Sequence, residues 1–202
     1  REKYEEILQL IASISDNCHR NKSFFNNLYQ IIDHYKNQIK QTFSNEEIFD
    51  IFEKKKKMLL FLFQNKIITI DDDIYYRLLT KGEANGNRYI HFFYPEIKKF
   101  IDKKKVIYIK EELINIDENI FDGFEEKHNE GENDSFICSL IREDSVEEFI
   151  EYVNRSNISL RSQVSPSIFE TNSFLIENNK TTLIEYSAFF GAIQIFQYLR
   201  MN

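Results

Sequence analysis

Apolar side chains recur at three- and four-residue spacing through the first third of this chain, and almost nothing interrupts them. Tyr4, Ile7, Leu8, Ile11 and Ile14 form one stripe, and Phe24, Phe25, Leu28, Ile31, Ile32, Tyr35 and Ile39 form a second. That period is close to one helical turn, so each stripe predicts the buried face of one amphipathic helix. Only 2 prolines and 5 glycines occur in 202 residues, which disfavours turn-rich sandwiches and barrels and favours long uninterrupted elements. A 42% apolar content suffices to bury a core. The expected fold class is all-α.

Ser44 and Glu47 have the spacing of a capping box, in which each residue satisfies an orphan backbone N–H of the other, and they precede a third stripe of Ile48, Ile51, Phe52, Leu59, Leu62 and Phe63. In TIDDDIYYRLLT (69–80) three carboxylates stand at a helix start, where the positive end of the helix dipole favours them, so they read as a cap rather than a metal site. KGEANGNRYIHFFYPEIKKFIDKKK (81–105) breaks the pattern at Gly82 and Gly86 and resumes at Pro95, a favourable first helical position. VIYIKEELINIDENIF (106–121) admits two readings: 106–109 could begin a strand, whereas 111–120 reads as helix, and helix is preferred. DGFEEKHNEGEND (122–134) is polar, acidic and aperiodic. It predicts an acidic linker between an N-terminal helical domain at 1–121 and a second part at 135–202.

Charge is unevenly distributed along the chain. Residues 1–110 carry +5, residues 111–151 carry −13 and residues 152–202 carry +1. The acidic belt is either a solvated face or a dock for a basic surface, with the solvated reading preferred. Cys18 and Cys138 lie far apart with no CxxC spacing, and no N-terminal apolar run resembles a signal peptide, so an intracellular, cytoplasmic protein is predicted. MLLFLF (58–63) is too short for a membrane span. The chain begins with Arg1, and its last motif stops abruptly, as in an excised fragment.

Beyond residue 134 one plan occurs twice. SFICSLIREDSVEEFIEYVNRSNISL (135–160) reads as a short helix, a tight break at Glu143 and Asp144, and a second helix carrying Val146, Phe149, Ile150 and Val153. TLIEYSAFFGAIQIFQYL (182–199) repeats it, with a capping box at Thr182 and Glu185, a left-handed helix end at Gly191, and Ile193, Ile195, Phe196 and Leu199 along the second helix. Two short antiparallel helices cannot bury such faces alone, but stacked neighbours can.

The stretch at 182–199 resembles an ankyrin repeat. Thr182 stands where that family begins its T-P-L-H motif, Ala188 and Gly191 match its A-A-x-x-G helix end, and Ile195 and Leu199 match its apolar second helix. Leu183 replaces the proline, Glu185 the histidine and Ser187 the first alanine. FFYPEI (92–97), GENDSFICSLIRED (131–144), SIFETNSFL (167–175) and the repeat itself resemble a group of protist ankyrin-repeat proteins with an N-terminal helical domain of unknown function. The resemblance implies an ankyrin-type solenoid at 135–202, truncated at the C-terminus, and a non-enzymatic scaffold that binds another protein. It implies close packing at Ser187, Ala188 and Gly191. It also implies a partner-binding role for Phe189 and Phe190, the residues before the helix-ending glycine. Burial of both rings in the core is the competing reading. An uncapped last repeat would expose Ile195, Phe196, Tyr198 and Leu199 and permit end-to-end self-association.

Other chemistry finds little support. His19, His34, His91 and His128 lack metal-site spacing, and Cys18 and His19, adjacent on a helix, point in different directions and cannot pair. DDDIYY lacks the alternating donors and glycine of a calcium loop, and GEANG is neither phosphate-binding glycine motif. No cofactor is expected. Asn-x-Ser/Thr sites at Asn21, Asn133, Asn154, Asn157 and Asn179 are expected by chance in an Asn-rich chain. The alternative function is nucleic-acid binding or nuclear import through the lysine runs at 54–57 and 103–105. Against it, such runs usually solubilise a helix surface, and no aromatic residues interleave with them.

Overall fold

In the computed structural model of the protein, which describes residues 1–15, 22–81, 88–178 and 180–202, every named element is a helix. The expectations that fall on Cys18, His19, Asn21, Gly82, Gly86 and Asn179 lie outside the described residues. Among the described residues the sole extended pairing is an isolated bridge between Gln163 and Thr182, and no helix is long and apolar enough to cross a membrane.

Local signals set several helix starts. The first stripe becomes α1 (Glu2–Ser15), with Leu8, Ile11 and Ala12 buried. The second becomes α2 (Lys22–His34) and α3 (Lys36–Thr42), separated at Tyr35, whose ring meets Tyr4 edge-on at 5.8 Å. Both halves of the Ser44 and Glu47 capping box form at the start of α4 (Asn45–Phe52). The third stripe then breaks at Lys55, which leaves the helical region at φ −111° and ψ 69°, and restarts as α5 (Lys56–Gln64). The break matters because six residues of α5 are buried around its circumference, as in a helix enclosed on all sides. Asp71 caps α6 (Asp72–Thr80) by accepting from the Ile74 N–H at 3.0 Å. Next come α7 (Tyr89–Phe92) and α8 (Tyr94–Ile97), with Pro95 in the first turn. The ambiguous segment is helix through Ile116, in α9 (Lys103–Ile116), capped by Asp102, and the helix expected to run on to residue 120 gives way to turns after Asp117.

The acidic segment at 122–134 contains a helix, α10 (Phe124–Glu130), bracketed by Gly123 and Gly131, both left-handed at φ 66°. Its sequence hid the helix because only Phe124 and His128 face inward, too few to display a period. A Cβ at Gly131 would also come within 2.9 Å of the Thr171 side chain.

The apolar interior forms two clusters. The first gathers residues from Leu8 to Phe124 together with Ile168 and Phe169. The second gathers residues from Cys138 to Leu199. Phe169 meets Phe124 edge-on at 5.0 Å, so the stretch before α13 (Ser173–Glu177) inserts into the first cluster although it lies within 135–202. The lysine run reinforces this joint rather than simply solubilising a surface. Lys54 pairs with Glu177 at 3.3 Å, while the ammonium groups of Lys56 and Lys57 donate to the backbone carbonyls of Glu170 and Glu130 at 3.4 and 2.8 Å. Lys56 is fully buried and lies over the rings of Tyr89 and Phe92.

Candidate partner-binding surface

The second cluster is built from two helix pairs. α11 (Phe136–Glu143) turns into α12 (Val146–Arg155) through Asp144 at φ 53°, and α14 (Leu183–Phe190) turns into α15 (Ile193–Met201) through Gly191 at φ 66°. A left-handed residue at the end of each first helix closes its last carbonyls and reverses the chain. The Thr182 and Glu185 capping box forms at the start of α14. First helix packs on first helix and second on second, α11 against α14 and α12 against α15. Ser187 is fully buried, its hydroxyl donating to the Leu183 carbonyl at 2.7 Å, whereas Ala188 and Gly191 face outward instead of filling a close contact.

Burial of the last helix corrects one expectation. Ile195 is fully buried and Leu199 is 8% exposed, both packed into the second cluster, while Phe196 and Tyr198 are half-buried. The apolar residues that α15 turns outward are Ile193 and Met201.

Phe189 and Phe190 are both half-buried, neither core nor free surface. Phe190 lies on buried Tyr186 at 4.6 Å between centroids and meets Phe189 edge-on at 5.0 Å. Phe189 in turn stacks parallel to Phe174 of α13, with centroids 5.7 Å apart and planes at 6°. Phe174 is 55% exposed. The result is an aromatic row running from the interior to the surface across α14 and α13. Phe174 escaped the sequence reading because α13 has five residues, too few to announce a face, and its contact with α14 is tertiary.

Beneath the row lies a polar joint. The Arg142 guanidinium donates through Nη1 to the Asn133 carbonyl at 2.8 Å and the Tyr186 hydroxyl at 3.0 Å, and through Nε meets Glu132 at 2.7 Å. Burial pushes the Tyr186 phenol well above its ordinary range and the Cys138 thiol up to about 11, so this thiol carries no thiolate character near neutral pH. Elsewhere, Glu112 contacts His91 at 3.3 Å and Arg88 at 2.7 Å. Burial lowers His91, with Glu112 opposing; burial would raise Glu112, but His91, Tyr108 and Arg88 outweigh it and hold the carboxyl low. Among the described residues no group of three or more His, Cys, Asp or Glu side chains is placed to hold a metal ion.

Known protein families, curated proteins and solved structures offer no match to this chain.

Proposed function

We propose that the protein is a non-enzymatic interaction scaffold of the ankyrin-repeat type, acting inside the cell and using the row Phe174, Phe189 and Phe190 to hold another protein. The observation that carries this reading is the stacking of two helix pairs, like helix on like helix, each turned by a left-handed residue. Ankyrin arrays repeat at about 33 residues. The turns here, at positions 144 and 191, lie 47 residues apart. The additional length accommodates the excursion that carries α13, which brings Phe174 to the row and Phe169 to the first cluster. The nucleic-acid alternative is weakened because Lys54, Lys56 and Lys57 are engaged by protein groups.

Proximity labelling from the tagged protein in its native cells tests the reading, comparing the unchanged chain with Phe189→Ala/Phe190→Ala. A few aromatics typically dominate such interfaces, and losing two of them costs on the order of 2–4 kcal/mol, enough to abolish micromolar binding. The expected result is loss of the enriched proteins with an unchanged circular-dichroism melt. An identical enriched set from a natively folded double variant would overturn the assignment.

A further inference from the structure

A narrow stripe holds α9 to the fold. Of its 14 residues only Ile109 and Leu113 are buried, yet Ile107 and Ile114 point away from that stripe, 56% and 40% exposed. A β-branched side chain slightly lowers helix propensity, so local structure gains nothing from isoleucine at a solvated position. The two isoleucines alternate with Lys103 and Lys110 at steps of four, three and four residues. That spacing sets all four side chains along one line of the helix, about 17 Å long. Both lysines are exposed. Lys110 lies over the Phe121 ring at 5.7 Å, and among the described residues neither lysine pairs with an acid.

A surface of opposite sign occurs on the second cluster. Phe136 of α11, 53% exposed, meets half-buried Tyr152 of α12 edge-on at 5.0 Å. Glu148 stands four residues before Tyr152 and three before Glu151, so the three side chains share one side of α12. Both glutamates are exposed, and among the described residues neither pairs with a base. The two surfaces thus have matching construction and inverted charge, with ammonium groups beside aliphatic side chains on α9 and carboxylates beside an aromatic pair on α12. Neither includes Phe174, Phe189 or Phe190.

We propose that the α9 stripe of one copy of this chain docks on the Phe136 and Tyr152 face of a second copy, with the isoleucines against the aromatic pair and the lysines against Glu148 and Glu151. Complementary potentials favour the matching partner and exclude a like-charged one. Each face also carries a minority charge, since exposed Glu111 borders the lysines and exposed Arg155 borders the glutamates. A uniform polyanion such as a nucleic acid or an anionic lipid surface repels Glu111, whereas the mixed face of a second copy offers it Arg155. The contact joins unlike faces, so it can repeat from copy to copy. It does not depend on the role given to Phe189 and Phe190.

Sedimentation equilibrium of the full chain from micromolar to millimolar concentration tests it, at about 50 mM salt, where exposed charges are weakly screened. The expected result is self-association that rises with concentration. Lys103→Glu/Lys110→Glu and Glu148→Lys/Glu151→Lys, all at exposed positions, should each weaken it at least about tenfold with an unchanged melt. The two variants, which both keep a net negative charge, should associate with one another when mixed, because each then meets a face of opposite sign. Ile107→Ser should weaken association of the otherwise unchanged chain. A chain monomeric at every concentration, indifference to either charge reversal, no recovery on mixing, or binding of phosphatidylserine vesicles or oligothymidylate in place of self-association would each overturn the proposal.

Discussion

Asp144 reaches across 51 residues to the backbone of Ile195: its Oδ1 accepts from the Ile195 N–H at 3.0 Å while Oδ2 accepts from the Gln194 N–H at 3.1 Å. These are orphan donors in the first turn of α15, whose own cap position, Ala192, has no side-chain acceptor. One residue therefore ends α11 with its left-handed backbone and starts α15 with its carboxylate. The two stacked pairs are registered at this point.

The double role predicts an order of substitutions. Asp144→Asn keeps both a left-handed preference and an acceptor, and should cost least. Asp144→Gly keeps the backbone and loses the cap, at about 1 kcal/mol. Asp144→Ala loses both, at on the order of 2–3 kcal/mol. Urea denaturation gives the order directly, and equal stability of the glycine and alanine variants would show that backbone handedness at 144 is immaterial.

A pH dependence follows from Lys56. Burial pushes its ammonium from 10.5 down to about 7, with Glu170 opposing the shift, and burial likewise pushes Glu170 up to about 7. A base whose pKa is lowered on folding binds its proton less tightly in the folded state than in the unfolded. Its contribution is therefore most favourable above pH 10.5 and falls as pH drops towards 7. The slope reaches up to about 1.4 kcal/mol per pH unit for one proton. Lys56→Met should remove that slope between about pH 8 and pH 10, a window above the titration of Glu170. Denaturation curves at several pH values compare the two proteins, and parallel dependences in that window would contradict the burial of a titrating ammonium.

Arg142 carries three partners from one guanidinium, with its side chain and that of Glu132 each 14% exposed. Arg142→Met leaves the Glu132 carboxylate without its cation and two acceptors without a donor, and should cost about 3–5 kcal/mol. Tyr186→Phe removes the acceptor for Arg142 and a weak contact with the Cys138 thiol, and should cost about 1 kcal/mol. Arg142→Lys cannot reproduce the planar fork and should fall between them. A methionine variant no less stable than the phenylalanine variant would mean that the joint contributes nothing as a unit.

The helix ends were legible because their causes are local. Ser44 with Glu47, Asp71 with Ile74, Thr182 with Glu185, and Gly191 each act within one turn of chain, so residue type and spacing suffice to locate them. The same logic located the helix-turn-helix plan on either side of Asp144 and Gly191. It failed at α10 and α13, where the inward residues are too few to form a period.

What the sequence determined by itself was therefore the helical class, the locally capped starts and stops, and the repeated plan of the last third. Only the tertiary structure decided that Lys56 is buried, that Asp144 caps a helix 51 residues away, and that Phe174 extends the row of Phe189 and Phe190. The physical reason is range. Capping and amphipathic periodicity are set by neighbours three or four residues apart, whereas burial and the pairing of a charge depend on which distant segments pack against it, and nothing in a run of four lysines distinguishes the one that packing will enclose.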